Sequence, residues 1–161
     1  MVRNPLEVAH SLGARNLFPI RYSLALWERY TREALTGLEG LPVLVTLYGS
    51  LLADPAGWCG ETVAFLNGVG LEARLPAPAD LGEFLDPALR RSVEGPDSLA
   101  VPAVSAEQRH LDELLRGAAG THDSFHLQPS EPETPSAAGL IARHRAAVVA
   151  AGNTWLIPAA N

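Results

Sequence analysis

Cysteine and long apolar runs are scarce in this 161-residue chain. Because Cys59 is the one cysteine, no internal disulfide can form, which is compatible with a reducing compartment. A free thiol more often packs as a small apolar group than acts as a nucleophile. No apolar run approaches the roughly 20 residues that span a bilayer, and the first residues lack the apolar segment of a secretory signal. We therefore expect a cytoplasmic protein without a membrane segment.

Positive charge is also limited. Lysine and arginine together number 12 against 18 aspartates and glutamates, which gives a net charge of −6, and no basic run occurs. This balance argues against a nucleic-acid-binding or anionic-membrane surface. Any anion site must therefore be local, built from a few residues.

The first eleven residues combine a helix start with an arginine and a serine. Asn4 is a favourable N-cap, Pro5 suits the first helical turn, and Glu7 stands at the capping-box position. The positive end of the helix dipole favours an anion, and Arg3 can add charge-assisted hydrogen bonds to a phosphate. Ser11 lies about 9 Å along the axis from Pro5, so it reaches only a ligand lying against the helix side. The segment predicts either a phosphate clamp or an ordinary capped surface helix with a solvated arginine.

Apolar spacing predicts two helices before residue 40. The first should cover 5–15 and the second 21–38, because apolar residues recur in each at intervals of three and four. The stripe of the second helix consists of Leu24, Trp27, Tyr30, Thr31, Ala34 and Leu38. Aromatic residues on such a stripe are more often packing residues than ligand platforms.

Residues 42–48 predict a buried strand of a parallel sheet, because they are short, nearly all apolar and rich in β-branched residues. Functional groups of open α/β sheets collect beyond the carboxyl ends of the strands. Tyr48 and Ser50 stand at that end and mark a candidate site. Val2 is a candidate stub of a neighbouring strand that leads into Arg3.

The rest of the chain predicts three more helices, over 56–67, 107–116 and 135–151. Ser105 and Gln108 provide a capping box for the second of them. Between these helices, frequent prolines and glycines leave room only for short turns.

The resulting domain organisation has three parts. We expect a partial domain over 1–116 and a linker over 117–135, where glycine, proline and polar residues offer little apolar surface to pack. Residues 136–161 should form a C-terminal helix and an apolar tail that packs on the same domain or on a partner. The composition, 47% hydrophobic, is sufficient for a single core.

A pair of histidines, His122 and His126, has the spacing of two metal ligands on a helix, with Asp123 nearby. The surrounding residues predict a loop, and no third ligand is evident. We therefore predict no metal site.

Four segments, RNPLEVAHSLGARN, SLALWERY, PVLVTLY and LLADP, together resemble the second half of a sulfotransferase that uses the sulfate donor PAPS, with bacterial members the most similar. The likeness covers residues 1–67 and thins to FLDPALRRS at 84–92. It implies that Arg3 and Ser11 bind the 3′-phosphate of PAPS or PAP and that Tyr48 lies near the nucleotide. Gly49 and Ser50 stand where the family carries an acidic pair, so the role of those acids is not transferred.

The resemblance also implies parts that do not precede Arg3 in this sequence, namely a Gly-rich phosphosulfate loop and a histidine general base. Residues 151–156, Ala-Gly-Asn-Thr-Trp-Leu, echo that loop faintly but have no arginine or lysine in the six residues before Gly152, and Pro158 blocks a following helix. We therefore expect a segment that binds the 3′-phosphate end of the donor and is not catalytic alone, from a truncated or split sulfuryl transferase. The alternative is a non-catalytic nucleotide-binding or protein-interaction module of the same fold.

The implied fold is α/β, a partial three-layer P-loop-like sandwich that is predominantly helical with one to three strands. Such a partial sheet exposes apolar helix faces, which a complementary chain or a second copy of this chain would cover. The acceptor substrate is not specified by these residues, because variable loops determine it in such enzymes.

Overall fold

The structure, a computed structural model, describes residues 1–77, 80–81, 96–127 and 133–152. Within these ranges the chain is mostly helical, as predicted. The helices are α1 (Pro5–Asn16), α2 (Ile20–Gly37), α3 (Tyr48–Ala53), α4 (Pro55–Gly68), α5 (Ala106–Gly117) and α6 (Pro135–Ala150), with a 3-10 turn at Pro96–Leu99; the strands are β1 (Val43–Val45) and β2 (Gly120–His122). Five of the helices match their predicted ranges to within one residue at each end, whereas the short α3 was not predicted.

The helix starts follow from local chemistry. Three of the helices begin with a side-chain cap followed by proline, whose fixed φ angle suits the first turn and whose missing N–H costs nothing there. The caps of α1, α4 and α6 are Asn4, Asp54 and Thr134, which accept from the amides of Leu6, Gly57 and Ala137. The capping box predicted for α5 is confirmed, with both reciprocal hydrogen bonds of Ser105 and Gln108 in place.

The sheet differs from the parallel arrangement expected for residues 42–48. β1 is buried as predicted, but it pairs antiparallel with β2, with Val43 opposite His122 and Val45 opposite Gly120. Parallel pairing occurs at a single bridge between Val2 and Leu47. This bridge agrees with the prediction that Val2 is the stub of a strand.

The stretch predicted as a linker contributes to this sheet and to the core. It supplies β2 and Phe125, which is 1% exposed. Backbone hydrogen bonds from Phe125 N to Leu41 O at 2.9 Å and from Gly40 N to Phe125 O at 2.8 Å hold the segment beside the end of α2. The composition did not indicate this because one buried aromatic among polar residues forms no periodic pattern.

Helix α2 lies at the centre of the packing. Its residues Tyr22–Glu28 are all buried, since α1 and α6 both pack against it. Tyr30, which was predicted on the core-facing stripe, is instead 51% exposed. The main cluster joins α2, β1 and α5 and consists of Trp27, Leu35, Val43, Val45, Leu111, Leu115 and Phe125.

A buried carboxylate ties three helices together. Glu28 of α2 is 0% exposed and accepts from Arg32 Nε at 3.2 Å and from Gln108 Nε2 of α5 at 3.2 Å. It also accepts from Thr134, at the start of α6, through the backbone N at 2.9 Å and Oγ1 at 3.3 Å. Because buried polar groups are costly unless they are hydrogen-bonded, these contacts fix where α5 and α6 start.

Candidate functional site

The site begins where Val2 pairs with the residues after β1. Val2 N donates to Thr46 O at 2.6 Å, and Tyr48 N donates to Val2 O at 2.8 Å. Because the pairing is parallel, α1 and α3 both start at the same end of the sheet. The bridge thereby places Arg3 and Tyr48 side by side at the carboxyl end of β1.

Arg3 is held by two contacts. Its guanidinium carbon lies 4.7 Å from the centroid of the Tyr48 ring, a cation–π distance. Its Nε donates to Glu7 Oε2 at 3.0 Å, in a pair whose side chains are 30% and 3% exposed. Neither contact uses the two terminal nitrogens, which are the atoms that make bidentate contacts to a phosphate.

Ser11 is placed apart from this pair. It is exposed on α1, and within the described residues no hydrogen bond connects it to Arg3 or Tyr48. Arg3, Glu7 and Ser11 recur at intervals of four, so Ser11 lies one turn beyond Glu7 on the same helical face. A ligand that meets both Arg3 and Ser11 must therefore lie along the side of α1.

The backbone at the start of α1 offers less than the sequence suggested. Asn4 Oδ1 accepts from Leu6 N at 2.8 Å, and Pro5 has no N–H to offer. The Asn4 amide also lies 3.5 Å from Ser98 Oγ, at the limit of a hydrogen bond. Recognition of an anion here would thus depend on the Arg3 side chain and the helix dipole more than on a cradle of backbone amides.

The segment that stands where the sulfotransferases that this sequence resembles carry an acidic pair lies in α3. Gly49 and Ser50 are both exposed, and the first turn of this helix carries no acidic residue. Asp54, in the Asp-Pro pair that contributes to the resemblance, accepts from Gly57 N at 2.9 Å. The structure thus assigns Asp54 to capping α4.

The two histidines, His122 and His126, line one open cleft beside α5, but each is engaged by its own hydrogen bonds. His122 Nε2 lies 2.8 Å from Ala118 O, and its ring is edge-on to Phe125 at 5.1 Å between centroids. In the part of the chain that the structure describes, no group of three or more metal-ligating side chains occurs.

Sequence reasoning missed a hydrogen-bonded chain of Ser124, His126 and Glu39. Ser124 Oγ lies 2.8 Å from His126 Nε2, and His126 Nδ1 lies 2.7 Å from Glu39 Oε1. This order resembles a nucleophile, base and orienting acid. However, the His126 side chain is 64% exposed, so water competes for its hydrogen bonds, and the chain mainly ties the loop after β2 to the end of α2.

Comparison with protein-family models, curated proteins and solved structures finds no match for this chain. Among the described helices, none is both long enough and apolar enough to cross a membrane.

Proposed function

We propose that this chain is a sulfotransferase-like segment that binds the 3′-phosphate end of PAPS or PAP through Arg3, Ser11 and Tyr48. The observation that carries the proposal is the stacking of Arg3 on Tyr48 at the carboxyl end of β1. The sequence resemblance assigns a role at the nucleotide to the same residues. The corresponding architecture is a partial three-layer P-loop-like sandwich, and the lone Cys59 favours a cytoplasmic location.

The contacts of Arg3 suit this role. The Tyr48 ring lies against the guanidinium, and Glu7 engages its Nε. The two terminal nitrogens of Arg3 can then donate hydrogen bonds to two oxygens of a phosphate, while the Ser11 hydroxyl binds a further oxygen from the side of α1. No metal is needed for this recognition, because the arginine supplies the positive charge.

Catalysis would require further groups. Sulfuryl transfer, like phosphoryl transfer, builds charge on bridging and peripheral oxygens and depends on a cationic cradle and an oriented acceptor hydroxyl. We propose that a complementary chain supplies the phosphosulfate loop and the histidine base, and that this chain alone is inactive.

A second candidate is a non-catalytic nucleotide-binding or protein-interaction module of the same fold. It is favoured by the pairing of Arg3 with the buried Glu7, since an arginine with two protein partners is also explained as a structural residue. Under this alternative the Arg3 contacts stabilise the start of α1.

Titration calorimetry with adenosine 3′,5′-bisphosphate tests whether Arg3 and Ser11 form a donor site or serve only the fold. We expect binding to the native chain and a loss of about 1.5–3 kcal/mol for Arg3→Ala, the value of a hydrogen bond to a charged group. Ser11→Ala should weaken binding by about 1 kcal/mol. Arg15→Ala, an exposed arginine at the end of α1, is the matched control and should leave the affinity unchanged. Absence of heat, or heat unaffected by both site variants, would refute a donor site here.

A further inference from the structure

We infer that the edge of β1 opposite β2 receives a parallel strand from a second polypeptide, which continues the pairing that Val2 begins. Thr46 O and Tyr48 N both face Val2 across this edge. Backbone groups alternate in direction along a strand, so the N–H and C=O of Leu44 face the same edge. Among the described residues, none pairs with Val43, Leu44 or Val45 across this edge.

The edge opens on an apolar cleft of about 650 Å³ between α1, α2 and β1. One wall comes from α1, the floor comes from α2, and the third side is the strand itself. The residues that give the cleft its apolar character include Val8, Leu12, Leu26, Trp27, Leu38 and Val45. A strand laid along β1 would direct every second side chain into this cleft.

The opposite face of the sheet is more polar. Its cleft, of about 520 Å³, is lined by Leu44 and Phe65 but also by Glu61, Asp123 and the residues of β2. The apolar surface that an occupant of the free edge meets is therefore that of the first cleft. Such a position selects a strand whose cleft-facing side chains are apolar and β-branched, because these side chains pack well on a pleated, half-buried surface.

These features specify the occupant's chemistry. Its backbone must be extended, because only an extended chain matches the spacing of the strand groups at Leu44. Its direction is parallel to β1, as set by the Val2–Leu47 bridge. A helix or a small apolar molecule would fill the cleft but leave the Leu44 backbone groups without partners. The inference is independent of nucleotide binding.

The probe is a synthetic peptide, Val-Ile-Val-Val between pairs of lysines, added to the isotope-labelled full chain. Amide hydrogen exchange followed by NMR should show the Leu44 amide slowed by about tenfold or more at saturation, because it becomes hydrogen-bonded. The amides of Val43 and Val45, which face β2, should change far less. A peptide with proline replacing the isoleucine should give little protection, since proline removes a ladder hydrogen bond.

A pair of variants tests the cleft. Leu12→Asp places a charge in the cleft and should weaken peptide binding about tenfold or more. The control, Leu17→Asp, changes a leucine that is 89% exposed and should leave peptide binding unchanged. Slow exchange of Leu44 in the free chain would overturn the inference, because the chain's own residues would then cover the edge. Unchanged Leu44 exchange at saturating peptide would also overturn it, and neither measurement needs a variant or PAP.

Discussion

The guanidinium carbon of Arg3 stands 4.7 Å from the centroid of the Tyr48 ring. These two residues are brought together by one parallel bridge, at which Val2 bonds to both Thr46 and Tyr48. The contact links the start of α1 to the start of α3.

The contact between Arg3 and Tyr48 predicts a measurable coupling energy. A double-mutant cycle of Arg3→Gln and Tyr48→Leu should give about 0.5–1 kcal/mol in the free energy of unfolding, the range of a partly exposed cation–π pair. Tyr48→Phe keeps the ring and should retain most of that coupling. Additive single-variant effects in urea denaturation would show that the stacking carries no energy.

Replacing the buried carboxylate of Glu28 should strongly destabilise the protein. Glu28→Ala removes the acceptor shared by Arg32, Gln108 and Thr134, and loss of one partner from a buried charged network costs about 3–5 kcal/mol. Glu33→Ala, at an exposed position of the same helix, should stay within about 0.5 kcal/mol of the native protein. Urea denaturation curves of both variants make the comparison, and equal shifts would contradict the role assigned to Glu28.

Truncating Phe125 tests whether the stretch after α5 belongs to the core. Phe125→Ala should lower the free energy of unfolding by about 3–5 kcal/mol, the usual result for a buried phenylalanine. Leu127→Ala, at a half-buried position two residues on, should have a clearly smaller effect. A loss below about 1 kcal/mol for Phe125→Ala would show that residues 117–127 act as a linker after all.

Stability should fall in alkaline solution because of Tyr22. Burial raises the pKa of this phenol above its usual value of 10.0, although the nearby Arg145 partly opposes the shift. Above pH 10 the unfolded chain therefore loses the proton first, so the free energy of unfolding declines as the pH rises through the folded pKa, whereas below pH 10 the contribution is complete.

The measurement is the urea midpoint between about pH 8 and pH 11. Tyr22→Phe should flatten the decline above pH 10.0. Tyr30→Phe, at a half-exposed tyrosine of the same helix, should leave most of it in place, because burial raises the pKa of Tyr22 more than the charge of Tyr30 does. Identical pH profiles for the native chain and Tyr22→Phe would exclude Tyr22 as the titrating group.

Local rules were enough for five of the six described helices, and only the short α3 was missed. A cap such as Asn4 or Ser105 and the periodic apolar pattern that follows it are both local features of the sequence. The helix bounds were predicted from them. The β2 strand could not be found in this way, since its three residues acquire their role only by pairing with β1. Tyr30 was misplaced because periodicity indicates that a helix has a buried face but not how many neighbours cover it.

The candidate site was likewise predicted only where its residues carry a local sequence signal. The rule for α/β sheets placed Tyr48 at the carboxyl end of β1, whereas Arg3 was assigned to the nucleotide by its helix start and by the resemblance, and the contact between them was not predicted. The engagement of Arg3 by Glu7 was not anticipated, although their spacing of four residues is that of a helical ion pair. The bond between His126 and Glu39 had no sequence signal, since 87 positions separate the two residues.

Glu28 also bears on how the protein is made. Its carboxylate is buried in the second helix, yet two of its donors belong to Thr134, which is synthesised long after that helix. While the nascent chain is still short of this residue, α2 carries an anion that has only part of its native environment. Residue 134 must therefore leave the ribosome before the Glu28 carboxylate has all of its hydrogen-bond donors, so α2 reaches its native environment only once the start of α6 has been synthesised.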